Sequence, residues 1–493
     1  MTERARTGKS GTKSLRRLSG AKAASPLLVD MSSPTTSHDG FPYDPDFPQL
    51  PFATDPEFMF QVFRRHLKPI ARKVYDIQDC QPFRFRCRQS QPRCVLQYTL
   101  RIEDAINGQS QALWVTGLLY AEKGLAERLW HETRASEPRW EIPKGSRTFE
   151  SVSFVPELQM LVEVFPFDRR LPNLCGVLNG EAKVLEPWLL SRLQRGRWRP
   201  EHRAIELMRY RTELGAVLRY SIQARDTFSS RRETLRCYLK LYRDDRGAEL
   251  WQLLQRLSER REGPQLYSVN KPVAYASELR MLALEEAPGI PLSQLLLDEG
   301  STAEAVRSAA RAAAAFNQDE LPILRHESRQ DHWEHLRLAA NLAQWACPRE
   351  RKAVEAITTA VLHDLTDVPP APIHGDLKPD HVFVAGDRVV FIDLDSAVQG
   401  DPVRDPAHMF AYLASAAGLG TISSARAKAI AWAFADEYFR SVPTSWRERF
   451  PTHCAGALLE VAGGIFRRQD AGWPQKVTAV IEMAQAALSG RSW

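Results

Sequence analysis

Two stretches of this 493-residue chain repeat one another at a nearly constant offset, and an internal repeat restricts the possible folds more than composition does. At an offset of 122, Val95, Leu96 and Tyr98 fall on Val217, Leu218 and Tyr220, while Leu119, Tyr120, Ala126 and Glu127 fall on Leu241, Tyr242, Ala248 and Glu249. At an offset of 121, Glu157, Leu158, Met160 and Leu161 fall on Glu278, Leu279, Met281 and Leu282. The first copy reads as strands around Phe83 to Arg88, Val95 to Ile102 and Ala112 to Tyr120, a helix from Gly124 to Trp130 and a strand from Leu158 to Val164. The second reads as a helix from Leu185 to Leu193, strands near Ile205 to Tyr210, Ala216 to Ile222 and Thr234 to Tyr242, a helix from Gly247 to Leu257 and a strand from Leu279 to Leu284. Strand-rich segments share Val, Leu and Tyr by composition alone, but preserved order and register favour duplication of one α+β unit of about 120 residues.

From about Ile290 the pattern changes to Ala-, Leu- and Arg-rich helical periodicity over Ala303 to Phe316, His332 to Trp345, Ala353 to Leu365, Ala425 to Phe439 and Val477 to Leu488. One strand-rich island, residues 371–395, interrupts it. A strand-rich lobe, an apolar connector and a helical lobe with one β island outline a bilobal, kinase-like α+β fold. The expected division is a disordered basic tail (1–40), a cap resembling a degenerate small lobe (41–180), a small lobe (181–289) and a helical large lobe (290–493). Residues 32–55 read as an irregular lead-in, with order expected to begin near Asp55; Asp55 or Thr54 can cap a helix with Pro56 in its first turn.

The island carries the chemistry. It reads Ile373-His374-Gly375-Asp376-Leu377-Lys378-Pro379-Asp380-His381, then Val389-Val390-Phe391-Ile392-Asp393-Leu394-Asp395. A carboxylate on a turn, a metal-capable side chain five residues on and a second carboxylate after an apolar strand are the parts phosphoryl transfer needs, because its catalysis is mostly positioning and charge neutralisation. These residues resemble the aminoglycoside phosphotransferase and choline kinase-like family, whose signature is HGDxxxxN followed by an ID motif, and HGDLKPDH is also similar to the HRDLKPEN loop of protein kinases. The resemblance covers about residues 200–410.

It implies a protein-kinase-like fold and ATP-dependent transfer to a hydroxyl group of a small molecule: a sugar, an amino alcohol or an aminoglycoside-like compound. Asp376 would be the catalytic base, His374 a residue bracing the loop, and Lys378 a γ-phosphate contact. Asp393 would bind Mg²⁺, and Asp395 would either join it at a second metal or hydrogen-bond the loop. Asp405 resembles the family's trailing aspartate that braces the loop, and it also reads as a helix N-cap before Pro406. His381 stands where the family has a metal-ligating Asn, which points to Mn²⁺ in place of Mg²⁺, to an intervening water, or to an inactive, nucleotide-binding or scaffold pseudokinase.

Lys240, in an apolar strand, is the candidate for the α- and β-phosphates, with Glu249 its nearest helical partner and Glu259 the alternative. No glycine-rich signature is present, so the turn Arg211-Thr212-Glu213-Leu214-Gly215 would cover phosphates through backbone near Gly215. Backbone near Glu286 and Ala287, before Pro288-Gly289, would pair with adenine. Leu118 occupies the position of Lys240 in the first copy, which therefore cannot be an independent kinase and is similar in placement to the cap of maltokinase-like proteins.

Other functions are disfavoured by charge and cysteine usage. The net charge of +6 is supplied entirely by residues 1–25, whose seven cations (Arg4, Arg6, Lys9, Lys13, Arg16, Arg17, Lys22) face only Glu3. A neutral body with a basic tail offers no groove-sized field for nucleic acid. No membrane partner is expected, since apolar runs such as Val155 to Phe167 are broken by Pro and Glu. Seven cysteines without a dense framework suit a reducing cytoplasm, and Cys80, Cys87 and Cys94 read as small apolar residues. The expected partners are ATP and a small hydroxylated molecule, and oligomeric state is not legible.

Overall fold

In the strand Gly215–Asp226, Ala216, Leu218, Tyr220, Ile222 and Ala224 are buried while the intervening side chains are more open, the period-two pattern of a sheet with one face on a core. The structure is a computed structural model that describes residues 41–70, 74–88, 93–135, 148–193, 196–259, 266–416, 422–469 and 471–490. The expected basic tail lies outside the described residues.

Two five-stranded antiparallel sheets are built in the same order. The first holds β1 (Tyr75–Arg88), β2 (Arg93–Asp104), β3 (Ser110–Tyr120), β4 (Val152–Val155) and β5 (Met160–Val164), ordered β1-β2-β3-β5-β4. The second holds β6 (Trp198–Arg211), β7 (Gly215–Asp226), β8 (Arg232–Tyr242), then, after the short β9 (Tyr267–Val269), β10 (Pro272–Ala276) and β11 (Met281–Glu285), ordered β6-β7-β8-β11-β10. Helices Leu125–Ala135 and Arg246–Ser258 follow the third strand of each. Register coincides as well: Val95 pairs with Leu118 and Val217 with Lys240, while Leu118 pairs with Leu161 and Lys240 with Leu282. Gln159 and Arg280 end equivalent 3-10 turns in left-handed conformation, at φ 48° and 46°.

β12 (Ile290–Pro291), β14 (Val382–Ala385) and β15 (Arg388–Phe391) join β9 in a four-stranded sheet, with β15 parallel to β9. β13 (Ala371–Ile373) pairs with β16 (Val398–Gly400). Long helices surround this small β region: Glu299–Asn317, Arg329–Ala346, Arg351–Asp364, Arg404–Ser415, Ser424–Arg440, Thr444–Arg468 and Trp473–Leu488.

Several elements differ from the sequence expectation. Order begins before Asp55, with a short helix Leu50–Ala53, although Asp55 does cap the next helix by accepting from the Glu57 and Phe58 amides. The helix expected over Leu185 to Leu193 is a 3-10 turn, Glu181–Leu185, followed by a single helical turn, Glu186–Leu190, because Pro187 lies at its start. Helix Thr444–Arg468 was not expected: it contains Pro451, a residue that normally ends a helical reading.

The first sheet is buried on both faces. Cys94, Leu96, Tyr98, Leu100 and Ile102 belong to the main core, where the Tyr98 hydroxyl donates to the Ala53 carbonyl at 2.6 Å. On the other face Val95, Leu118, Ala126 and Leu161 make a small core beneath helix Leu125–Ala135. Leu118 thus packs against a helix at the register position where Lys240 faces an open cleft.

This sheet also grips the β6–β7 turn. Arg93 donates two hydrogen bonds of 2.7 Å to the Glu213 carboxylate, Arg86 donates to the Thr212 carbonyl at 2.7 Å, and the Thr116 and Thr212 hydroxyls meet at 2.9 Å. Asp168 accepts from the Glu213 amide at 2.7 Å and from the Tyr210 hydroxyl at 2.8 Å. Glu213 is 1% exposed and adopts φ 62°. Removing one partner of such a buried, bidentate pair leaves the other charge uncompensated. Glu213→Gln should lower stability by about 3 kcal/mol, measured as a shift in the denaturant midpoint at unchanged slope; a shift worth less than about 0.5 kcal/mol would mean that the pair is not a buried one in solution.

Candidate active site

The island folds so that its polar residues converge between the second sheet and the helices. Gly375 has φ 75°, and a Cβ there would lie 2.3 Å from the Ser396 carbonyl oxygen, so only glycine fits the loop. The buried Asp405 carboxylate accepts from the His374 and Gly375 amides at 2.7 and 3.0 Å and from the Asn317 side chain at 2.9 Å. Asn317 is held in turn by the Pro372 carbonyl and the Tyr438 hydroxyl. Asp405 lies inside the first turn of helix Arg404–Ser415 and does not cap it, so bracing the loop is its role and the N-cap reading is corrected.

His374 is 1% exposed. Its Nε2 donates to the Ile392 carbonyl at 2.9 Å, leaving Nδ1 to accept the Asp376 amide at 3.4 Å. Burial pulls its pKa down, so the neutral imidazole is the favoured form. It is a positioning residue with no face toward the cleft, which corrects its grouping with the catalytic residues.

Asp376 accepts from Lys378 Nζ at 2.6 Å, and that ammonium lies 5.8 Å over the Tyr412 ring. Burial acts to raise the Asp376 pKa, but Lys378, His408 and His381 outweigh it and hold the carboxyl below its ordinary value. His381 is 3% exposed, with Nδ1 3.0 Å from the Asp376 carbonyl and Nε2 3.1 Å from Asp393 Oδ2. One ligand atom each from Asp376, His381 and Asp393 lie within 4.8 Å of one another.

Lys240 enters from β8. Leu239 and Leu241 point to the sheet core, so alternation turns Lys240 to the opposite face. Its ammonium bonds Asp393 at 2.5 Å and also Asp395. Glu249 is therefore not its partner: it is exposed on helix Arg246–Ser258 and lines a neighbouring groove. The lysine meets the two carboxylates first, because the strand ends at Phe391 and Asp393, in left-handed conformation at φ 63°, starts a 3-10 turn over Leu394–Ser396. Asp393 and Asp395 converge through this turn and not through strand alternation. Lys240 and His381 hold Asp393 well below the carboxylate range against burial, whereas burial, aided by Asp393, pushes Asp395 up against the pull of Lys240.

Lys240, Asp376, Asp393 and Asp395 line one cleft of about 280 Å³ together with Arg209, Arg211, Gly215, Tyr242, Arg325 and Ser396. Gly215 does border it, whereas Thr212 and Glu213 turn away into the first sheet. Glu286 and Ala287 lie where the chain leaves β11 for β12; the Glu286 side chain is exposed, 3.4 Å from the Tyr238 hydroxyl, and does not join the cluster. Sequence reasoning missed Arg209, Arg211, Arg325 and Asn317. Two arginines alternating in one strand, and a lone Asn in an Ala-rich helix, were the available signals.

Behind the loop, His332 stacks on His453 at 5.4 Å, and His453 meets Asp401 at 3.0 Å. Burial, then His453, lowers the His332 pKa from 6.5 to about 4. The unfolded chain takes up that proton at a higher pH than the folded one, so stability present above about 6.5 is lost as pH falls toward 4, by about 3 kcal/mol. His332→Leu should flatten this part of the stability–pH curve in denaturant titrations at pH 7, 5.5 and 4; an unaltered slope would refute the assignment.

No curated protein matches the chain in sequence. Among solved structures, an amicoumacin kinase in complex with AMP-PNP and Ca²⁺ is 13% identical at a TM-score of 0.40, over 62% of this chain and 95% of that one. A choline kinase from Cryptosporidium parvum is 7% identical at 0.40, over 58% and 89%, and an aminoglycoside phosphotransferase from Streptomyces rimosus is 19% identical at 0.34, over 56% and 98%. Residues 223–440 match the phosphotransferase enzyme family. The segment that carries Lys240, the His374-Gly375-Asp376 loop and Asp393 thus matches the model of that family.

Proposed function

We propose that the protein transfers the γ-phosphate of ATP to a hydroxyl group of a small molecule. The observation that carries this reading is the meeting of Asp376, His381 and Asp393 within 4.8 Å beside a lysine from the opposing sheet. Asp376, kept ionised, accepts the hydroxyl proton as the acceptor oxygen bonds to the γ-phosphorus and the bond to the bridging oxygen of ADP breaks. Lys378 steadies the Asp376 carboxylate and offers its ammonium to the transferred group. Lys240 supplies charge to the α- and β-phosphates, and backbone at Glu286 and Ala287 takes the adenine.

The donor set fits a divalent cation. His381 Nδ1 donates to the Asp376 carbonyl, which leaves Nε2 as the ring atom facing Asp393 Oδ2 at 3.1 Å. A ring nitrogen and a carboxylate oxygen so placed share either a proton or a metal ion. Asp393, His381 and Asp395 would hold Mg²⁺ or Mn²⁺, with imidazole favouring Mn²⁺. When bound, the ion would neutralise charge on the β- and γ-phosphates.

Asp376→Asn should reduce kcat by about a thousandfold while nucleotide affinity changes less than about threefold, with ADP release and calorimetry as the two readouts. Undiminished turnover in that variant would remove Asp376 from the chemistry. Nucleotide binding without turnover in the natural protein, across sugar, amino alcohol and aminoglycoside acceptors, would support the inactive reading that His381 raises.

A further inference from the structure

The face of the second sheet that borders the cleft carries more positive charge than Lys240 alone. Arg209 pairs with Val217, and Val217 with Lys240, so these three side chains stand in one row on the same face of β6, β7 and β8. Arg211, Gly215 and Tyr242 form the next row, nearer the β6–β7 turn. Tyr210, between the two arginines, is buried in the core on the opposite face, as strand alternation requires. Both rows line the cavity of about 280 Å³ that also holds Asp376, Asp393 and Asp395.

The other cations of this cavity are already engaged. Lys240 bonds Asp393 and Asp395, Arg243 and Arg246 pair with Asp244 at 3.3 and 2.9 Å, and Arg325 donates to the Asp395 carbonyl at 2.9 Å. Among the described residues neither Arg209 nor Arg211 is ion-paired, and both side chains are open to solvent.

Their backbone, by contrast, is held in place by the first sheet. The carbonyl groups on either side of Arg211 accept from β1, Tyr210 from Arg84 at 3.4 Å and Thr212 from Arg86 at 2.7 Å. Glu213, the next residue of the turn, carries the paired bonds from Arg93. An unpaired guanidinium projecting into a cleft from a fixed backbone is preorganised for an anion.

Phosphate oxygens fit that description, since the planar guanidinium fork matches them. Two inter-strand spacings put Arg209 about 10 Å from Lys240, and Arg211 lies further along the strand, beside the turn. A nucleotide whose α- and β-phosphates lie at Lys240 therefore extends its γ-phosphate between Asp376 and the β6 arginines. Charge that develops on the transferred phosphoryl oxygens is stabilised by donors already aimed at it.

We propose that Arg211, with Arg209 beside it, grips the γ-phosphate of the nucleotide, so that β6 supplies through guanidinium groups the phosphate contacts that a glycine-rich turn would supply through backbone. This rests on the phosphotransferase reading. It gives the first sheet a part in the reaction, because Arg84 and Arg86 set the backbone from which Arg211 projects.

Calorimetry on the full chain with Mg²⁺ tests this, with ADP and the β,γ-imido analogue of ATP as the two ligands. Arg211→Gln is expected to weaken the analogue about tenfold or more and to leave ADP within about threefold, with Arg211→Lys recovering part of the loss. Arg209→Gln should show the same selectivity in smaller measure, and both variants should keep the denaturant midpoint of the natural protein, because neither side chain is buried. Equal losses for the analogue and ADP, or an analogue affinity unchanged in Arg211→Gln, would overturn the inference. Absence of any nucleotide binding would count against the phosphotransferase reading instead. Tripolyphosphate would then decide this one: binding that Arg211→Gln weakens about tenfold sustains it, and no binding overturns it.

Discussion

A single ammonium joins the two halves of the site. Lys240 belongs to an antiparallel sheet whose other face is packed with Leu239, Leu241 and Leu218, and it reaches across to Asp393 and Asp395, which belong to the turn after β15. One cation between two carboxylates leaves the group net negative, and His381 presents a ring nitrogen to the same Asp393. A divalent ion with a nucleotide phosphate would therefore bring to this cluster the charges it lacks, positive for the carboxylates and negative for the lysine. The catalytic loop depends on a second buried charge: Asp405 accepts two loop amides and the Asn317 side chain, which fixes the direction in which Asp376 leaves the backbone.

The first sheet acts on this arrangement from two sides. Through Arg86 and Arg93 it holds the turn between β6 and β7, whose following residues Leu214, Gly215 and Ala216 border the cleft. Through Phe85 it packs into the helical lobe, stacking on Trp345 and meeting Phe466, each at 5.6 Å. One strand, β1, therefore contacts both the β6–β7 turn, through Arg86, and the helical lobe, through Phe85.

Much of this was legible in the residues. The repeat offset predicted equivalent registers at Leu118 and Lys240, and the His374-Gly375-Asp376 and Asp393-Leu394-Asp395 blocks predicted which side chains meet, because a short loop and a short turn leave little freedom. What the sequence could not convey were contacts between distant segments. Chain proximity points Lys240 to Glu249, nine residues away, while its partners lie 153 and 155 positions downstream. The buried Glu213 looked like a turn residue, since the arginines that bury it come from another sheet, 120 and 127 residues earlier in the chain. Pro451 hid a 25-residue helix that tertiary packing stabilises against the loss of one backbone donor.

The account stands on Asp393, Asp395, His381 and Lys240 forming a metal–nucleotide site, and calorimetric titration of ATP with Mg²⁺ and with Mn²⁺ tests it most directly. The prediction is metal-dependent binding that disappears in Asp393→Ala, with His381→Asn shifting preference from Mn²⁺ toward Mg²⁺. ATP binding of equal strength without metal, or undiminished in Asp393→Ala, would contradict it.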